Sequence, residues 1–122
     1  MITLKTLELS TAQQIFDHVG EHLLTQRKKS RDTEGCLYRT SDGLKCAAGC
    51  LIADDEYVAK IEGLDWYGTI DILNITSQHA SLISRLQDIH DGYPPSYWFK
   101  ELEYLANEKG YSMEALKQFK NK

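Results

Sequence analysis

His18, Glu21 and His22 match the inverted zinc-protease pattern H-x-x-E-H. In that pattern, two imidazoles one helical turn apart bind the metal ion and the glutamate activates water. The sequence offers no identifiable third protein ligand, and Gly20 within the helix loosens the rigidity that such a site requires. We therefore interpret both histidines as surface or boundary residues.

Cys36, Cys46 and Cys50 allow two further chemistries. A structural zinc site would need a histidine as a fourth ligand, but neither interval between the cysteines is the C-x-x-C pair typical of zinc modules. Cys46 or Cys50 could serve as a nucleophile with His79 or His90 as its base, but no oxyanion-hole signature accompanies them. Free cysteines usually behave as small apolar residues. We predict that Cys46 and Cys50 pack against the apolar faces of the flanking helices, with no metal, cofactor or catalytic residue assigned.

A basic cluster lies at the end of the first predicted helix, where cations complement the helix dipole and cover its last carbonyls. An alternative use is phosphate binding in a small-molecule or nucleotide site, with a tyrosine stacked on the base. The residues for this alternative are Arg27, Lys28, Arg31 and Arg39. Neither G-x-G-x-x-G nor a P-loop string occurs in the sequence.

Two groups of residues are candidates for binding a partner protein. The first is acidic and comprises Asp54, Asp55, Glu56 and Tyr57, although such acids also suit the first turn of a helix. The second is aromatic and comprises Tyr93 and Tyr97, which flank two prolines. The adjacent Trp98 has the helical spacing that is typical of a core residue.

The length of 122 residues is typical of one domain, predicted here as 1–122. Fourteen basic and eighteen acidic side chains give a net charge of -4, which disfavours binding to a nucleic-acid backbone. The first residues lack the layout of a signal peptide, and no stretch approaches 18 apolar residues. With an odd number of cysteines, these features predict a cytoplasmic protein without a membrane span.

Helices and one turn must position the candidate site residues described above. Capping-box spacing at Ser10/Gln13 and Thr11/Gln14 predicts a first helix that runs to about Lys29. Residues 36–39 and 44–46 are then predicted as the strands of a β-hairpin, because an Asp-Gly turn signal lies within 40–43. The small residues 47–49 permit tight packing as the chain leaves the hairpin.

Further helices are predicted for the rest of the chain. Part of 63–76 is predicted as a short helix, and Ser77 is predicted to cap a helix that ends around Gly92. Pro95 or Ser96 then opens a helix that stops at Gly110, and a short final helix follows. The predicted fold class is α+β, mostly helical, with four to five helices packed around one small β-hairpin.

Residues 36–39 and 42–52, which read CLYR and DGLKCAAGCLI, resemble the central motif of small uncharacterised proteins found in phages, prophages and other mobile elements. The resemblance extends to the helix before this motif, to 54–57, and to 86–91 followed by Trp98. Residues 66–76 match least. The family has no established catalytic residues to carry over.

The resemblance implies a non-enzymatic accessory protein that binds and modulates a host protein, with defence-system proteins among the candidates. It would work in the cytoplasm of the bacterial host cell by occupying its partner's surface. A nucleotide-sequestering protein is the alternative, and a cysteine- or metal-dependent enzyme ranks third. Oligomeric state does not follow from these residues.

Overall fold

The computed structural model describes residues 2–120, so the two ends of the predicted domain, residues 1 and 121–122, lie outside the described range. Within that range the chain forms four α-helices: α1 (Ala12–Gln26), α2 (Trp66–Leu73), α3 (Ala80–Gly92) and α4 (Trp98–Lys109). Five short 3-10 helices connect or flank them: Leu7–Leu9, Gly49–Leu51, Ala59–Ile61, Pro95–Tyr97 and Glu114–Phe119.

Helix α1 begins with the predicted capping box of Thr11 and Gln14. The Thr11 hydroxyl accepts from Gln14 N at 3.1 Å, and Gln14 Oε1 accepts from Thr11 N at 2.9 Å. The helix ends at Gln26 rather than near Lys29, because Arg27 adopts the left-handed conformation with a φ of 52°. Its N–H still bonds to the Leu23 carbonyl, which completes the helix end.

The core forms where α1 packs against α3, α4 and the segment Glu114–Phe119. Helix α1 contributes Ile15, Phe16 and Leu23, all fully buried, and α4 contributes Trp98. Gly20 allows Leu116 to pack closely against α1, because a methyl group at Gly20 would lie only 2.7 Å from Leu116 Cδ1.

The predicted α+β fold with a β-hairpin is wrong, because residues 2–120 form a helical structure without a sheet. The Asp-Gly turn itself forms, with Gly43 N donating to the Thr40 carbonyl at 3.1 Å. Beyond it, however, Arg39 and Lys45 make only an isolated antiparallel bridge.

Side chains take the backbone groups that a longer ladder would use. Glu62 accepts hydrogen bonds from Tyr38 N at 2.8 Å and from Arg39 N at 3.3 Å. On the other side of the turn, Lys45 N donates to Gln26 Oε1 at 3.0 Å. A longer ladder would need Tyr38 N to donate across the turn, and since this N–H has one proton to donate, its bond to Glu62 replaces that pairing.

The later helices follow the predicted order, but α3 and α4 start later than predicted, and α4 begins at Trp98 after the 3-10 helix Pro95–Tyr97. Helix α3 starts after His79, whose φ of 67° is left-handed, and not at the predicted cap Ser77. It ends at Gly92 as predicted. Helix α4 stops at Gly110, whose φ of 76° is the left-handed geometry that favours glycine.

Among residues 2–120, no helix has the combination of length and apolar character needed to cross a bilayer.

Gly49 offers a test of the packing around the turn. A methyl group added to Gly49 would overlap with the Tyr38 carbonyl oxygen, which is backbone and cannot rotate away. We expect Gly49→Ala to lower the free energy of unfolding by about 1–3 kcal/mol, the usual cost of overpacking, in urea denaturation. Gly92→Ala is the matched control, since a methyl group there meets no atom within 4 Å. Equal stability of the two variants would contradict the prediction.

Candidate functional site

His18 and His22 form hydrogen bonds between α1 and the segment that follows the Asp-Gly turn. His18 Nε2 lies 3.3 Å from the Cys50 carbonyl oxygen, and His22 Nε2 lies 2.9 Å from that of Lys45. Because a carbonyl oxygen only accepts, each Nε2 carries a proton and donates. Both histidines are half-buried, as predicted for boundary residues, and Glu21 is exposed.

Among residues 2–120, the metal-ligating side chains that come together in a group of three are Cys36, His90 and Asp91, with ligand atoms within 4.8 Å of one another. His90 is fully buried and stacks on Trp98, with ring centroids 5.4 Å apart. The sequence suggests His90 as a base for Cys46 or Cys50. In the structure, His90 lies beside Cys36 instead.

The hydrogen bonds of His90 determine where its proton lies. Ser30 N donates to His90 Nε2 at 3.0 Å, so that nitrogen is unprotonated. The proton is therefore on Nδ1, which donates to Asp91 Oδ1 at 2.7 Å. A metal ion on Nδ1 would force this proton onto Nε2, where it would face the Ser30 N–H. The group fits a hydrogen-bond network and not a metal site.

The pKa values of this group oppose nucleophilic chemistry. Burial raises the pKa of Cys36, and the Asp91 carboxylate raises it further. Burial also acts to raise the pKa of Asp91, but the hydrogen bond from His90 and the adjacent Cys36 thiol outweigh it, so this pKa lies below its usual value. A reactive cysteine needs a lowered pKa, so Cys36 is not activated here.

The other two cysteines are packed rather than activated. Cys46 is fully buried, as predicted, and burial raises its pKa to about 12. Cys50 is half-buried, its Sγ donates to the Ala47 carbonyl at 3.1 Å, and burial raises its pKa as well. Neither thiol belongs to the group of Cys36, so the three cysteines do not converge on one metal ion within residues 2–120.

A cleft of about 350 Å³ lies between α3 and the residues around Tyr38 and Trp66, and we call it the α3 cleft. Its α3 wall consists of Ser84, Gln87, Asp88 and Asp91; facing it are Cys36, Leu37, Tyr38, Gly63, Leu64, Asp65 and Trp66. None of these described lining residues is basic. The cleft therefore carries an excess of negative charge.

The acidic residues predicted to bind a partner are largely engaged within the chain. Glu56 accepts from the backbone N–H groups of Leu4 and Ala53, at 3.1 and 2.9 Å. The Tyr57 hydroxyl donates to Glu62 at 2.7 Å. These two residues therefore support the fold.

The remaining two residues of that run lie on the surface. Asp54 is exposed and pairs with Arg39, with Oδ1 and Nη1 3.0 Å apart. Asp55 is exposed and makes no side-chain hydrogen bond or salt bridge with the described residues.

The predicted aromatic residues are exposed. Tyr93 is 39% exposed and Tyr97 is 59% exposed, while Trp98 is fully buried and donates to the Tyr93 carbonyl at 2.9 Å. Tyr104 is also exposed, at 58%. It lies seven residues after Tyr97, a spacing that returns to the same helix face.

The four basic residues of the nucleotide-binding alternative do not share contacts. Arg27 Nε donates to the Leu24 carbonyl at 3.0 Å, which is the predicted covering of a helix end. Arg31 and Lys28 are exposed. Arg39 pairs with the acidic run and lies over the Tyr57 ring, 4.3 Å from its centroid.

Sequence reasoning missed the cleft and its network, although part of the signal was present. Ser84, Gln87, Asp88 and Asp91 have the i, i+3, i+4, i+7 spacing of one helix face, so a polar stripe on α3 was recognisable. The role of Ser30 was not recognisable, since its partner His90 is sixty residues away.

Comparison with protein-family models, with curated proteins and with solved structures finds no match to this chain.

His22 predicts a dependence of stability on pH. Burial lowers its pKa below 6.5, although the hydrogen bond to Lys45 opposes this. The unfolded chain then takes up the proton at a higher pH than the folded chain. The contribution of His22 to the free energy of unfolding is therefore complete above pH 6.5 and is lost as the pH falls towards the folded-state pKa.

We expect His22→Gln, which keeps a donor towards the Lys45 carbonyl, to lose less stability than the wild type between pH 7 and pH 5. Urea denaturation at each pH measures the difference. Identical pH profiles would show that His22 does not contribute.

The Cys36 thiol provides a second test. Because Asp91 raises the pKa of Cys36, Asp91→Asn should increase the thiolate fraction and speed its reaction with a disulfide reagent at pH 8 several-fold. Asp88→Asn, which changes the same cleft wall, should have a much smaller effect. Cys36→Ser identifies the reacting thiol, and an unchanged rate in Asp91→Asn would refute the coupling.

Proposed function

We propose that this chain is a non-enzymatic accessory protein of phage type that binds and modulates a host protein. The observation that carries the proposal is the exposure of three tyrosines beside and along α4. We call Tyr93, Tyr97 and Tyr104 the tyrosine face. Defence-system proteins are the class of partner that the resemblance to mobile-element proteins favours.

The geometry of the tyrosine face suits a protein partner. Tyr97 directly precedes α4 and Tyr104 lies two turns further on, so the helical rise places the two residues about 10 Å apart along the helix axis. None of the three hydroxyls bonds to another described residue. Exposed tyrosines contribute little to the core, whereas at interfaces they supply a large apolar area and a polar group at low entropic cost.

The engagement of the candidate histidines and the raised pKa values of the thiols support binding rather than the cysteine- or metal-dependent enzyme. The imidazoles of His18 and His22 donate to backbone carbonyls, and His90 is held between Ser30 and Asp91. The pKa values of all three thiols are raised, mainly by burial. General acid–base catalysis and nucleophilic catalysis by cysteine both need groups that can exchange protons during the reaction.

The tyrosine face is a better binding surface than the acidic run. Glu56 and Tyr57 already use their polar atoms within the chain, so a partner would have to displace those bonds. The tyrosines would lose no internal hydrogen bond on binding. This difference favours α4 as the side that meets the host protein.

The double variant Tyr97→Ala/Tyr104→Ala tests the proposal. In pull-downs from a bacterial lysate, the wild type should retain one protein in stoichiometric amount, and the purified partner should bind the double variant at least about tenfold more weakly. Tyr67→Ala is the matched control, because Tyr67 is a 51% exposed tyrosine on α2.

Two results would contradict the proposal. One is equal affinity of the wild type and the double variant for the purified partner. The other is the lack of any stoichiometric partner together with thermal stabilisation by a nucleotide, which would favour the sequestering alternative.

A further inference from the structure

We propose that the α3 cleft receives the side chain of a lysine or arginine from the partner protein. The inference rests on the proposed function, because the partner supplies the basic residue. It adds the chemistry that the partner must present and a second contact region besides the tyrosine face.

The charge of the cleft calls for a cation. Asp65, Asp88 and Asp91 line it, and none of the described lining residues is basic. The neighbouring cations are not part of the lining: Arg31 is exposed, and Lys29 and Arg85 bond to groups other than these carboxylates. Lys29 Nζ donates to the Asp91 backbone carbonyl at 2.9 Å, and Arg85 forms two hydrogen bonds with Glu108.

The three carboxylates differ in how much bonding capacity remains. Asp65 Oδ1 accepts from Gly68 N at 2.8 Å, and Asp91 Oδ1 accepts from both His90 and Gln87. Asp88 is exposed and has no hydrogen bond or salt bridge to another described residue. It is therefore the carboxylate most available to an incoming cation.

Trp66 gives an independent indication of what accompanies the cation. It is 1% exposed and lines the cleft, and its Nε1 is buried without a hydrogen-bond acceptor among the described residues. A buried donor without an acceptor is destabilising, and such groups in folded proteins call for an explanation. Because Nε1 has almost no accessible surface in the free chain, an acceptor brought by the ligand would pair with it only by displacing part of the wall.

These two requirements together select a peptide over other cations. A lysine or arginine residue carries a cation at one end and a backbone carbonyl, which is an acceptor, at the other. A metal ion or a polyamine carries no acceptor for Trp66. The aliphatic stem of the basic side chain would pack on the apolar wall at Leu37 and Leu64.

The cleft is also of suitable size. Pockets for drug-sized ligands have volumes of about 300–1,000 Å³, and the α3 cleft, at about 350 Å³, is at the lower end of that range. It would hold one side chain with its adjacent peptide group.

The experiment follows the two indole N–H signals by NMR in the full ¹⁵N-labelled chain. The probes are N-acetyl-arginine methylamide and N-acetyl-lysine methylamide at low ionic strength. We expect at least one of them to shift the Trp66 indole signal saturably. Trp98 is the internal control, because its Nε1 already donates to the Tyr93 carbonyl. Trp66→Phe assigns the two signals.

Charge variants test the cationic part. Asp88→Asn should weaken probe binding about threefold, as expected for the loss of a solvent-exposed ion pair. Asp71→Asn should leave it unchanged, since Asp71 is an exposed acid on α2 outside the cleft lining. If Asp88→Asn does not give a folded spectrum, Asp88→Ser replaces it, and the wild-type titration tests the proposal by itself.

Three outcomes would overturn the inference. They are an unmoved Trp66 signal with both probes, an equal shift with the neutral N-acetyl-alanine methylamide, and an equal or larger shift with Mg²⁺ or spermidine. The probes bind the isolated chain, so a negative titration leaves the tyrosine-face test unaffected. Conversely, a failed pull-down leaves the titration valid.

Discussion

The backbone between Cys36 and Ile52 imposes the main constraint on this molecule, because much of it is buried without a β-ladder to pair its polar groups. Residues 46–49 are fully buried. Leaving one buried N–H or carbonyl unpaired costs about 1–3 kcal/mol, a large fraction of a typical domain's stability. Some of these groups bond to nearby backbone, as Cys46 N does to the Tyr38 carbonyl at 3.1 Å, and others bond to side chains that are distant in sequence. Gln26 bonds to both N and O of Lys45, and Gln87 accepts from Ala48 N.

This constraint explains why polar residues concentrate at the meeting point of α1 and α3. Both helices face the turn segment, α1 through His22 and Gln26 and α3 through Gln87. The buried Ser30 completes the arrangement, because its hydroxyl donates to the Leu37 carbonyl at 2.7 Å while its N–H donates to His90. Residue types that resemble a metal or catalytic site are thus used to satisfy a buried backbone.

Local signals predicted some helix ends correctly and the segment between α1 and α2 poorly. The Thr11 capping box, the stop at Gly110 and the Asp-Gly turn each depend on residues within a few positions of one another. The hairpin prediction was wrong because the same turn signal says nothing about Glu62, which lies 24 residues from Tyr38 and takes its N–H. For the same reason, sequence reasoning selected Glu56 as a partner-binding residue without revealing its bond to Leu4 N, 52 residues away.

The cleft on α3 is a consequence of how that helix anchors the turn. Gln87 and Asp91 are four residues apart, so they share a face of α3 and lie one turn from each other. This spacing allows Gln87 Nε2 to donate to Asp91 Oδ1. Asp88 therefore lies beside Gln87 and Asp91, but its side chain makes no such bond within the described chain. A change at Asp88 alters the charge of the cleft but leaves the bonds of Gln87 to Ala48 and of Asp91 to His90 intact. In the same way, Tyr104 on α4 and Tyr97 just before it are exposed, whereas Trp98 and Leu102 are buried. On these two helices, surface side chains can therefore change with little effect on the interactions that hold the fold together.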